Sequence, residues 1–527
     1  MPRYSHKKGG PNTMKGTWQH IDIPSLPRSS HSLNVVEGRA YVFGGEVEPR
    51  KPVDNDMHVL VLPANSAPAD YYSVKPKPSP KTQFNSASIS EEDETAAELR
   101  DPLTDVSLAS SDEPEPSSYP STPRPDKGKE NATPQVPCAR IGHATAVIGT
   151  RIFLFGGRSS TEGSSTLDER GRVWIFETKT STWTYLDPYR TSPIPPARSY
   201  FAAVATDKPR DFEIKPLQRR ASWKQWAEGD SADVGIPQRP IPGSVAANAT
   251  DEEDAGFGTF IIHGGCLADG SRTGDVWAFD VRSSTWKELP SAPGPARGGA
   301  ALAIAKSRLY RFGGFDGESE LGGQLDVLNL SLDEFDDRVS KGEIGIFARG
   351  GWETLVPPTP TSASAPAQAT EESETGKLAP TGDSDHPWPG NRSVASLELV
   401  LGAQGREYLV LMLGERAPNA AGTGHNGAGQ FWDDIWAFQV PPLGGTAASF
   451  TGAVWQAVGR PTGEGRWTRV EAGPYDDEDP LDARGPGPRG WLASAPLGDL
   501  EEGGVVVFGG LSESNTRLGD AWIFRLG

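Results

Sequence analysis

The polar and apolar positions of this chain repeat one phrase. A short apolar run ends in paired glycines, and a second run follows that opens on aspartate and carries aromatics. The first run reads Tyr41-Val-Phe-Gly-Gly45, Ile152-Phe-Leu-Phe-Gly-Gly157, Phe260-Ile-Ile-His-Gly-Gly265, Leu309-Tyr-Arg-Phe-Gly-Gly314 and Val505-Val-Val-Phe-Gly-Gly510. A sixth copy, Tyr408-Leu-Val-Leu-Met-Leu-Gly414, reads as a broken pair with Glu415 in place of the second glycine. The second run is Asp56-Met-His-Val, Val173-Trp-Ile-Phe, Asp275-Val-Trp-Ala-Phe, Asp326-Val-Leu, Asp434-Ile-Trp-Ala-Phe and Asp520-Ala-Trp-Ile-Phe. Ahead of each pair stands an arginine: Arg28, Arg140, Arg198, Arg297, Arg392 and Arg489.

Short apolar and aromatic runs bounded by glycine and proline predict strands. A small-residue strand such as His143-Ala-Thr-Ala-Val-Ile148 precedes the glycine run, and a fourth strand carries Trp183, Trp286, Trp352 or Trp467. Four antiparallel strands repeated radially make a β-propeller, and the count of copies predicts six blades. The last copy stops after its third strand, so Gly16-Thr-Trp18-Gln-His-Ile-Asp22 is predicted to complete the final blade and seal the ring. The fold class is therefore all-β, a six-bladed propeller over residues 16–527 behind a flexible basic tail at 1–15. Insertions at 76–135 and 357–388 read as disordered, and 207–256 as loose. By strand parity the first two share a face with the arginines, and the third lies on the other face. Ser79-Pro80, Thr122-Pro123 and Thr359-Pro360 are phosphorylation candidates there, against the plain reading as linker.

Composition narrows the function. Gly 61 and Pro 47 suit many turns, and a net charge of −19 disfavours a nucleic-acid backbone as partner. No apolar run reaches the ~18 residues of a membrane span, and no secretory signal is visible. A cytoplasmic protein is expected, with no membrane partner and with Cys138 and Cys266 as reduced thiols outside any metal-spacing motif.

The double glycine and spaced aromatic resemble the kelch repeat, in six units covering most of 17–62 and 136–527. That resemblance implies a kelch propeller acting as a binding module for proteins. The six arginines, at one blade position, suggest a guanidinium ring for a small anionic ligand or acidic partner residues, or bonds to blade carbonyls and the aspartates. His31 and His143 read as packing near the channel.

The loop Gly414-Glu-Arg-Ala-Pro-Asn-Ala-Ala-Gly-Thr-Gly-His425-Asn-Gly-Ala-Gly-Gln430 contains a formal G-x-G-x-x-G, rejected because no helix follows. It resembles the loop of the plant specifier proteins, kelch propellers that divert glucosinolate breakdown. There a Glu-x3-Asp-x3-His run binds Fe(II), ahead of His-x-Gly-x-Gly-Gln. The resemblance implies Fe(II) as cofactor with Glu415, Asn419 and His425 as the metal set, and a specifier-like lyase as the alternative to a non-catalytic module. Asn419 stands at the Asp position and His425 lies two residues late, which removes a charge and weakens the site. Asp433 or Asp434 would have to supply the missing oxygen. No Ser/His/Asp order, phosphate loop or catalytic carboxylate pair is legible, and no copper-ligand set like that of the secreted copper-radical oxidases.

Overall fold

The computed structural model describes residues 13–64, 67–80, 135–159, 166–206, 258–332, 346–357, 388–402, 405–419, 427–442, 464–498 and 503–527. Most of the three expected insertions, and His425, lie outside the described residues. So does 443–463, between the third and fourth strands of the fifth unit, where no insertion was expected.

The described strands form six antiparallel four-stranded units. The first is Ser32–Val36, Arg39–Phe43, Met57–Val61 and Asp70–Val74. The second is Ala144–Ile148, Arg151–Phe155, Val173–Glu177 and Thr182–Leu186. The third is Ala202–Thr206, Thr259–His263, Val276–Asp280 and Thr285–Leu289. In the fourth, Ala301–Ala305, Arg308–Phe312 and Leu325–Leu332 are followed by a split outer strand, Ile346–Ala348 and Glu353–Leu355. The fifth is Ser396–Leu401, Glu407–Met412, Ile435–Gln439 and Trp467–Pro474. Ala493–Pro496, Gly504–Leu511 and Arg517–Leu526 make the sixth, with Met14–Ile21 as its outer strand, begun two residues earlier than the sequence suggested.

Side chains alternate across a strand, so each unit offers one apolar set to each neighbour. In the third unit Phe260 and Ile262 pack toward the second, and Ile261 toward the fourth. Six such cores result, one per junction. Burial on both faces explains why the middle strands are continuous apolar runs. The innermost strands touch in sequence and the sixth returns to the first.

Backbone bonds close the same cycle twice. The amide of the second glycine donates to the arginine carbonyl of the next unit at 2.9–3.0 Å: Gly45 to Arg140, Gly157 to Arg198, Gly265 to Arg297, Gly314 to Arg392, Gly414 to Arg489 and Gly510 to Arg28. An inner ring joins the residues two beyond each arginine. Ser30 donates to Trp491, Trp491 to Val394, Val394 to Gly299, Gly299 to Tyr200, Tyr200 to Gly142 and Gly142 to Ser30.

These bonds correct two register readings. Leu413, at φ 61°, takes the first glycine's place and Gly414 the second's, so Glu415 is the residue after the pair. In the fourth unit Leu325 pairs with Phe312 as Val276 does with His263. Gln324 therefore stands at the aspartate position, and Asp326 lies two further on. Asp326 is drawn there by Arg311, with which it forms a buried pair at 2.5 Å.

The edges of two insertions are more ordered than expected. Trp183 donates its amide to Lys77, and Ser79 donates to Trp183. Trp388 packs on Trp467, ring centroids 6.3 Å apart. The N-terminal strand also does more than complete a unit. Met14–Trp18 pairs in parallel with Val470–Pro474, so the last two units share one eight-stranded sheet.

Candidate functional site

The six arginines lie inside the ring. Their relative exposures run from 0% to 3%, and each Nη1 donates to the carbonyl at the first glycine position of its own unit at 3.0–3.1 Å. Arg198, Arg392 and Arg489 fork onto Asp275, Asp434 and Asp520, and Arg140 onto Glu169. Each of these acids also accepts an indole N–H, from Trp277, Trp436, Trp522 and Trp174. Burial alone would raise the three aspartates, but their arginines hold them below the usual carboxylate range. Arg28 reaches His58 instead, at 3.2 Å, and Arg297 has two carbonyls. Burial, with Arg311 adding, lowers Arg297 to about 10. These buried guanidinium groups brace the inside of their own units and do not form an open anion ring at the mouth.

What faces the mouth is carried one position past each glycine pair and two past each arginine. The first set is Glu46, Arg158, Cys266, Phe315, Glu415 and Leu511, each bridged to the residue after its unit's arginine. The second set is the inner ring. All its members have φ between 45° and 61°, a range in which glycine is unstrained. Gly142 and Gly299 are glycines; Ser30, Tyr200, Val394 and Trp491 are not. Tyr200 and Trp491 come from units facing each other across the ring and meet edge to face at 5.5 Å.

Above this pair lies a cavity of about 410 Å³. One wall carries Arg50, Arg517 and Glu46, where Arg517 pairs with Glu46 at 3.4 Å. The other carries Glu320, Glu415, Phe315 and Asn419, with the Arg272 guanidinium over the Phe315 ring. Burial pushes Glu415 up to about 7, against the indole N–H of Trp491, which donates to its Oε2 at 3.0 Å. Burial pushes Glu320 up to about 8, against the Ser393 hydroxyl, with Glu415 and Asp316 adding to the rise.

Of the implied iron set, Glu415 and Asn419 lie within the described residues and His425 outside them. Asn419 turns its amide to the carbonyl of Gly427 at 3.0 Å, and Glu415 is engaged by Trp491. Asp434 is held by Arg392. Among the described residues no three His, Cys, Asp or Glu side chains converge as a metal site.

The strands make a β-propeller, and the family model described as "Kelch motif" matches residues 139–188. Host cell factor 1 of Rattus norvegicus is 25% identical over 192 residues, 36% of this chain and 7% of that protein. The flagellar outer-arm dynein alpha chain of Chlamydomonas reinhardtii is 24% identical over 212 residues, 39% of this chain and 3% of that one. N-(sulfonatooxy)prop-2-enimidothioate sulfolyase of Thlaspi arvense is 38% identical over 53 residues, 9% of this chain and 15% of the enzyme. Each match thus spans a small part of its relative. The solved structure of YjhT aligns over 95% of both chains at 10% identity and a TM-score of 0.42.

Proposed function

We propose that this protein is a binding module that takes a protein partner at the mouth of the propeller axis. One observation carries the reading. The positions that hold the ring repeat their chemistry from unit to unit, whereas the two positions that face the mouth differ in nearly every unit. Four of the inner-ring residues keep a side chain at a positive φ, where strain of about 1–3 kcal/mol attends a non-glycine residue. A ring needing only closure would be served by glycine at all six. Kelch repeats in the far longer host cell factor 1 match this chain, which fits an interaction role. A direct test compares capture of partners by Phe315→Glu, at the mouth, with Lys179→Glu, at the far-face turn before Thr182–Leu186. Loss with Phe315→Glu alone supports the reading, and equal capture by both opposes it.

A specifier-like Fe(II) reading keeps two supports, the 38% match to the Thlaspi arvense sulfolyase and the place of Glu415 in the cavity. Of its implied ligands, Glu415 accepts from Trp491 and Asn419 donates to Gly427. Anaerobic Fe(II) titration decides: thermal stabilisation that disappears in Glu415→Ala favours the specifier-like reading, and an unmoved melting temperature excludes it.

A further inference from the structure

The two walls of the axial cavity are not equivalent in charge. On the first, Glu46 has Arg517 beside it and accepts the Arg50 amide at 2.6 Å. On the second, Glu320 and Glu415 approach one another around Ser393. The Ser393 backbone pairs with Glu415, and Ser393 and Glu415 both act on the Glu320 carboxyl group. Among the described residues neither carboxyl group has a lysine or arginine as ion-pair partner; Arg272, which also lines the cavity, lies over the Phe315 ring. Glu320 is 6% exposed, and among the described residues its Oε2 has no hydrogen-bond partner. An unpartnered carboxyl oxygen in a buried wall is costly, and a donor that enters the cavity would relieve that cost.

The walls say what enters. Trp491 flanks the pair, and an aromatic ring attracts a cation electrostatically, as the Phe315 ring already does the Arg272 guanidinium, 5.0 Å from its centroid. Gly429 lies directly against Glu415 Oε1, so a larger residue there would displace the carboxyl group. An anion would meet two acids, and a neutral apolar group would leave Glu320 Oε2 unbonded.

We propose that Glu320 and Glu415 form the cation-binding pole of the cavity, receiving the guanidinium or ammonium group of an arginine or lysine side chain beside Trp491. This rests on the mouth being the docking face and names the chemistry that the partner presents there. A guanidinium donates two parallel N–H bonds to a carboxylate, and with two carboxyl groups at one end of the cavity its donors have acceptors on both.

The experiment is calorimetric titration of the full chain with three probes: the tripeptide Ac-Gly-Arg-Gly-NH2, its citrulline isostere, and n-butylguanidinium. The arginine peptide is expected to bind at least tenfold tighter than the citrulline peptide. Glu320→Gln and Glu415→Gln, each retaining an acceptor oxygen, are expected to abolish that preference while the melting temperature holds or rises. If butylguanidinium matches the peptide, a free small cation satisfies the site; a much tighter peptide places the cation on a partner's chain. Equal binding of the arginine and citrulline peptides, no binding of either, or a preference that survives both variants overturns the proposal. None of those results touches partner capture at Phe315, so the failure of the cation pole is distinguishable from that of the docking face.

Discussion

Tyr200 and Trp491 touch edge to face across the propeller axis, 5.5 Å between ring centroids. They come from the third and sixth units, and each also belongs to the ring of backbone bonds that links all six. The floor of the cavity and the closure of the fold are therefore one structure. Whatever loosens the ring is expected to disturb the mouth.

The seam made by the N-terminal strand is the first place to test that coupling. Trp18 packs on Phe524 at 5.2 Å and Trp522 at 6.4 Å, and is 6% exposed. Truncating a buried tryptophan to alanine costs about 3–5 kcal/mol. Trp18→Ala should lower the denaturation midpoint in urea accordingly, and deletion of residues 1–21 should lower it further by exposing two strand edges.

The buried arginines should behave as scaffold. Arg392 forks onto Asp434 at 2.7 and 3.0 Å, and both are nearly solvent-free. Arg392→Ala leaves a buried carboxylate without its partner and should cost about 3–5 kcal/mol in denaturant unfolding. Arg392→Lys should recover only part, because an ammonium cannot fork. A variant that kept full stability and lost only ligand binding would show the arginine to be a recognition residue instead.

Two glycines at positive φ should separate strain from collision. At Gly149 a side chain would meet nothing within 4 Å, so alanine should cost only the left-handed penalty of about 1 kcal/mol. At Gly157 the new carbon would stand 2.9 Å from the carbonyl of Ile141 and from His143 Cβ. Gly157→Ala should therefore be much the more damaging in the same unfolding measurement.

Acid should destabilise the fold through its buried histidines. Burial, with the charge of Arg140, lowers His143 to about 3, and burial with Arg311 does the same to His263. Between pH 6.5 and about 3 the unfolded chain takes up protons that the folded histidines refuse. Stability is thus lost as pH falls through that window, at up to about 1.4 kcal/mol per pH unit for each histidine. His143→Gln should reduce the slope of stability against pH below 6.5, whatever it does to stability at pH 7.

Much of this fold is legible in the sequence because its closure is made by repeated residues. Arg28 and Gly510, or Arg140 and Gly45, are joined by backbone bonds at positions where a φ near 100° calls for glycine and a guanidinium bonds the first-glycine carbonyl. Where a unit departs from them, the pattern alone misassigns positions though the strand register is kept. Leu413 accepts a left-handed backbone that normally calls for glycine, and Gln324 replaces an aspartate whose charge Asp326 supplies from elsewhere. The cavity was not legible because its residues have no common identity. Tyr200, Phe315, Glu320 and Trp491 share positions or a wall, not a motif. Aligning the six units with one another would have exposed the variable position after each glycine pair. Nothing in the spacing of Glu320 announces that it meets Glu415.

The central claim, that the mouth of the axis is the docking face, is tested most directly by site-specific photocrosslinking. A photoreactive phenylalanine at Phe315 is predicted to give a covalent adduct of discrete mass with a partner protein, and one at Glu37, on the far-face turn between the first two strands, none. Adducts from position 37 with none from 315 would contradict the account.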